Sequence, residues 1–62
     1  MPIVNIHILE GRSLDQKRKL VSEMTKSICD SLSVKPESVR IIISEMANEE
    51  FAVAGTLKID QK

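Results

Sequence analysis

Sixty-two residues make one small domain, with nine Lys and Arg against nine Asp and Glu and a formal net charge of zero. That balance leaves no basic face for nucleic acid, and no apolar run approaches the ~18 residues of a membrane span. One cysteine and one histidine allow neither an internal disulfide nor a metal-ligand set.

The single expected domain covers 1–62, with no repeat or linker inside it. A chain of this size buries only about 60% of its unfolded surface. Below roughly 70–80 residues one core rarely supplies more than ~3–5 kcal/mol. With no disulfide or metal to help, self-association is the expected further source of stability. The start lacks the charged stretch, apolar run and cleavage site of a signal peptide, so the expectation is a cytoplasmic protein.

"PIVNIHIL" (2–9) reads as the first strand. Val4, Ile6 and Ile8 share one face, and Ile3, Asn5, His7 and Leu9 share the other. Pro2 has no backbone N–H, so it starts a strand cheaply where that donor is not needed. His7 is expected to be a polar strand residue with a satisfied hydrogen bond. "EGR" breaks the strand, with Gly11 permitting a tight turn.

A helix follows from Ser13 to Leu32. Ser13 can cap a free N–H, Gln16 three residues on completes a capping box, and Asp15 suits the positive helix end. Leu20, Met24 and Ile28 form a stripe flanked by Val21 and Leu32. Lys17, Lys19, Glu23, Lys26 and Asp30 are assigned to the opposite, solvated side. Cys29 is expected as a small thiol, buried or half-buried.

Pro36 in "SVKPES" ends the helical region. "VRIIISEM" (39–46) is the second strand, and its Ile41-Ile42-Ile43 run is apolar on both faces, as in a strand covered on both sides. The helix supplies one cover and a second subunit the other. Strand, helix and strand form a right-handed, parallel βαβ unit. "ANEE" is a loop, "FAVAG" a short strand or hairpin arm ending at Gly55, and "TLKIDQK" a tail that could pair with or lie over a neighbour.

Four residues stand out for chemistry. If Met1 is removed, Pro2 becomes a free secondary amine, which is a base. Arg12 sits in a strand-to-helix turn, where functional residues are frequent. Arg40 lies in an otherwise apolar strand, which calls for a sheet edge or an anionic partner. Phe51 is the sole aromatic.

The stretches "MPIV", "HILEGRS" with "DQK", "VRIIISEM" and "FAVAG", in this order within 62 residues, resemble the 4-oxalocrotonate tautomerase family of small tautomerases with an N-terminal proline. The resemblance covers essentially the whole chain. It implies an α/β fold, a βαβ unit with a short C-terminal hairpin, assembled into sheets across subunits and into a homohexamer whose sites draw on several subunits. It implies Pro2 as general base after removal of Met1, Arg12 and Arg40 as catalytic and substrate-binding arginines, and Phe51 as the substrate-binding aromatic. Arg40 falls near the 2-oxo end of the substrate and Arg12 at the distal end. It implies an isomerase of aromatic hydrocarbon catabolism that needs no cofactor or metal. The substrate is a small unsaturated carboxylic acid, a 2-hydroxydienoate such as 2-hydroxymuconate.

Elementary chemistry agrees with that assignment. A tautomerase needs a base with a pKa near working pH. Apolar neighbours and nearby arginines both disfavour an ammonium and pull an α-amine below its ordinary value of about 7.7–8.0. Arginine forks hold carboxylates bidentately. Glu49 and Glu50, directly ahead of Phe51, depart from the family pattern and are expected to point outward in a solvated loop. The alternatives are a hydratase or dehalogenase of unsaturated acids on the same proline, with Glu49 or Glu50 activating water, and a non-catalytic oligomeric module.

Overall fold

Two parallel strands carry a helix on one face in the computed structural model, which describes residues 1–61. Lys62, the end of the expected domain and tail, lies outside the described residues. Strand β1 spans Ile3–Leu9, helix α1 Leu14–Leu32 and strand β2 Arg40–Met46. Strands β3 (Ala52–Val53) and β4 (Thr56–Leu57) form a short antiparallel hairpin. Single 3-10 turns occupy Pro36–Ser38, Asn48–Glu50 and Lys58–Asp60. The α/β class, the βαβ unit and the C-terminal hairpin are those expected from the sequence.

The parallel register sets Ile3 beside Arg40, Val4 beside Ile41, Asn5 beside Ile42, Ile6 beside Ile43 and His7 beside Ser44. Alternation then sorts the side chains into two faces. Val4, Ile6, Ile8, Ile41 and Ile43 are half-buried beneath the helix. Ile3, Asn5, His7, Arg40, Ile42 and Ser44 are exposed on the open face. Pro2 gives the ladder no donor, but its carbonyl accepts from the Arg40 N–H at 3.0 Å. At the far end the Glu10 N–H donates to the Met46 carbonyl at 2.9 Å.

The helix start is the capping box written in the sequence. Ser13 Oγ accepts from the Gln16 N–H at 3.1 Å, and Gln16 Oε1 accepts from the Ser13 N–H at 2.9 Å. Leu20, Val21, Met24 and Ile28 are half-buried, and so is Cys29. Lys17 corrects the expected solvated side. It precedes Leu20 by three residues, which returns it to the sheet-facing stripe, and its Nζ reaches Glu45 Oε1 at 2.6 Å. The pair ties α1 to β2. Leu32, expected to flank the stripe, is exposed. The helix ends at Ser33 in the left-handed region, φ 56° and ψ 46°.

Two smaller expectations also change. Strand β2 begins at Arg40, since the Val39 N–H is used by the Pro36 carbonyl at 3.1 Å in the preceding turn. His7 is exposed on the open face, and among the described residues its ring has no hydrogen-bond partner, because its register neighbour is the short Ser44.

The hairpin turns through Ala54 (φ 53°) and Gly55 (φ 83°). Positive φ at both central residues is the geometry that favours Asn-Gly, and a Cβ in the left-handed region costs roughly 1–2 kcal/mol. Ala54→Asn is therefore expected to raise stability by about 0.5–1 kcal/mol per protomer. Urea unfolding at fixed protomer concentration measures this; an unchanged or lower midpoint would contradict the turn geometry.

Among the described residues no side chain is fully buried. The accessible surface is 4977 Å², against about 4,000 Å² for a compact monomer of this mass. The radius of gyration is 14.8 Å, against about 11 Å for a compact chain of this length. The molecule is a flat slab of 43 × 24 × 14 Å. Ile3 is 59% and Ile42 51% exposed on the open sheet face. Among the described residues no helix is long and apolar enough to cross a membrane.

Candidate active site

The structure brings Pro2 and Arg40 together. Strand pairing does it: the Arg40 N–H holds the Pro2 carbonyl, so the chain start and the first residue of β2 share one end of the sheet. Pro2 is half-buried, and Met1 ahead of it is 78% exposed. Arg40 is exposed at the edge of the two-stranded sheet. Its Nη1 donates to the Glu37 carbonyl at 2.5 Å and weakly to the Val39 carbonyl at 3.4 Å. The edge position, with backbone carbonyls as acceptors, accommodates the charge that the apolar strand left unexplained.

Arg12 stands at the other end. It follows Gly11 (φ 115°), whose positive φ lets the chain leave β1 and turn into α1. The first and last residues of β1 are separated by roughly 20 Å at ~3.3 Å per residue. Within one protomer, Pro2 and Arg12 therefore stand beyond opposite ends of β1.

Arg12 lines two open depressions. One, of about 220 Å³, has Ile8, Gln16, Lys17 and Leu20 as its other walls. The second, of about 450 Å³, runs over Ile8, Leu9, Glu10, Gly11, Asn48 and Lys58. Neither includes Pro2 or Arg40.

Phe51 belongs to the Arg12 end. It follows the Asn48–Glu50 turn, is 38% exposed, and its carbonyl accepts from the Lys58 N–H at 2.7 Å. Glu49 and Glu50 are exposed, as expected, and Glu50 Oε1 accepts from the Ala47 N–H at 3.3 Å. Sequence reasoning did not single out Lys58. Its signal was available: a two-residue turn at Ala54-Gly55 makes residue 58 the cross-strand partner of residue 51.

One protomer therefore carries the candidate residues at two separate ends of the sheet. One end holds the chain start and Arg40, and the other holds Arg12 with Lys58, whose N–H bonds the Phe51 carbonyl. A family model described as Tautomerase enzyme matches residues 2–61. A 2-hydroxymuconate tautomerase of Pseudomonas putida is 51% identical over 57 residues, 92% of this chain and 90% of that relative. A solved structure from work on the 4-oxalocrotonate tautomerase isozymes of Methylibium petroleiphilum superposes with a TM-score of 0.92 at 41% identity, covering 94% of this chain and 91% of the other. One from a heterohexamer 4-oxalocrotonate tautomerase of Chloroflexus aurantiacus superposes at 0.94 with 29% identity, covering 100% of each chain. The chain belongs to the 4-oxalocrotonate tautomerase family and is an isomerase.

Proposed function

We propose that the protein moves a proton within 2-hydroxydienoate or 2-oxo acid substrates such as 2-hydroxymuconate, with Pro2 as the general base once Met1 is removed. The observation that carries this reading is the 3.0 Å bond from the Arg40 N–H to the Pro2 carbonyl. It fixes the chain start, which becomes an amine once Met1 is removed, beside the backbone of Arg40. The neutral amine takes the hydroxyl proton, the O–H pair becomes the carbonyl, the double bonds shift, and the ammonium returns a proton to carbon. The amine ends as it began, and no cofactor is required.

Arg40 would stabilise charge on the 2-oxygen and the adjacent carboxylate, and Arg12 would hold the distal carboxylate. Since Arg12 and Phe51 lie a strand's length from Pro2, a neighbouring subunit supplies them. A homohexamer meets that need. The 4977 Å² surface and the exposed Ile3 and Ile42 of the open face support assembly, as does the heterohexamer of the Chloroflexus aurantiacus relative. A hydratase or dehalogenase would need a carboxylate at the proline. Of the two candidate carboxylates, Glu50 already accepts from the Ala47 N–H at 3.3 Å within its own turn. This favours the tautomerase.

Kinetics of mass-verified Arg12→Ala and Arg40→Ala on 2-hydroxymuconate test the assignment. Arg40→Ala is expected to lower kcat by about 10²-fold, the scale of one lost charge-stabilising group. Arg12→Ala is expected to raise KM and lower kcat together. Unchanged constants in both variants, with the assembly intact, would refute the site.

A further inference from the structure

The depression beside Arg12 holds a second cation. Lys58 and Arg12 line the same open hollow of about 450 Å³, within the ~300–1,000 Å³ range of small-ligand pockets. Lys58 comes from the C-terminal turn and Arg12 from the turn after β1, so two distant segments converge on it. An exposed lysine alone would carry little weight. The backbone fixes this one: its N–H bonds the Phe51 carbonyl at 2.7 Å, which registers Lys58 directly opposite the aromatic of the site.

The charges in the hollow are unequal. Arg12 and Lys58 are positive, Glu10 is the one carboxylate of the lining, and Asn48 adds a neutral amide. Among the described residues neither cation is in a salt bridge, the two pairs being Lys17–Glu45 and Arg18–Asp15. Two cations sharing one hollow repel each other, and an entering anion relieves that repulsion. A carboxylate, with two acceptor oxygens, can take the Arg12 fork and the Lys58 ammonium together.

We infer that Lys58 is a specificity residue: it joins Arg12 in holding the far carboxylate of a dicarboxylic ligand, and so sets the preference for dicarboxylates over monocarboxylates. The ligand class rests on the tautomerase reading; the convergence of the two cations does not. Lys58 also offsets the negative charge that Glu49 and Glu50 bring to the neighbouring turn, which otherwise opposes an anionic ligand.

The test uses two diene acids that differ in one carboxylate, muconate and sorbate. Binding to the full chain is read by isothermal titration calorimetry, which requires no turnover. Wild type is expected to bind muconate more tightly than sorbate. Lys58→Met keeps the aliphatic stem and is expected to weaken muconate roughly fivefold, the size of one exposed cation–carboxylate pair. Sorbate, whose single carboxylate is assigned to Arg40 in the tautomerase reading, should lose less affinity than muconate, and Lys58→Arg should restore muconate. An unchanged muconate Kd in Lys58→Met, or equal weakening of both acids, would overturn the inference. Absence of 2-hydroxymuconate turnover by wild type would sink the tautomerase reading instead, and leaves the binding comparison standing.

Discussion

Any residue left ahead of Pro2 is expected to lower kcat/KM on 2-hydroxymuconate by about 10²–10⁴-fold, the usual contribution of a positioned general base. Acylation turns the proline nitrogen into an amide, whose lone pair is delocalised into the carbonyl and accepts no proton near neutral pH. The loss should be chemical rather than structural. Met1 is 78% exposed, while Pro2 is tied to β2 through its carbonyl, which remains whether or not its nitrogen is acylated. The Met1-retaining protein should therefore keep its assembly and stability. Intact mass and steady-state kinetics on the two species check this. Pro2→Ala, when processed, retains a primary amine and should keep weak activity. Full activity in a protein with Met1 verifiably present would exclude Pro2 as the base.

Ile42→Lys is expected to break the assembly. In the isolated protomer Ile42 is 51% exposed on the open sheet face, so the substitution there should cost within about 0.5 kcal/mol. In an oligomer that covers this face, the change buries an unpaired ammonium, at a cost of several kcal/mol per subunit. The protomer has no fully buried side chain among its described residues to absorb the loss. Dissociation should therefore bring unfolding with it. Sedimentation velocity and circular dichroism at micromolar concentration distinguish the cases. A folded variant with wild-type mass would show that the open face is not an interface.

Much of the fold was legible because it is locally encoded. Ser13 with Gln16 wrote the helix start, and alternation in "VNIHI" wrote the two faces of β1. Lys17 was misassigned because residue type was given precedence over helical phase. A long amphipathic side chain can sit on the apolar stripe and send its ammonium to the rim, where Glu45 receives it. The start of β2 was missed by one residue because a 3-10 turn claimed the Val39 N–H, a competition that hydropathy does not register.

The site was legible only in part. Composition and spacing marked Pro2, Arg12, Arg40 and Phe51 one by one, and the parallel register explains why Pro2 and Arg40 are neighbours. Nothing periodic along the chain indicates that Arg12 and Phe51 gather at the opposite end. That follows from the length of the strands. Lys58 was hidden in an apparent tail until the hairpin gave it a register opposite Phe51.

The proline-base mechanism is tested most directly by titrating the Pro2 nitrogen itself. Nitrogen-15 NMR of protein labelled at proline, with Met1 removal verified by mass, follows that atom through its protonation. A single protonation midpoint is expected for this nitrogen, with the neutral amine as the active form. It should coincide with the ascending limb of kcat/KM, which reports the free enzyme. A Pro2 nitrogen that stays protonated through the pH range of full activity would contradict the mechanism.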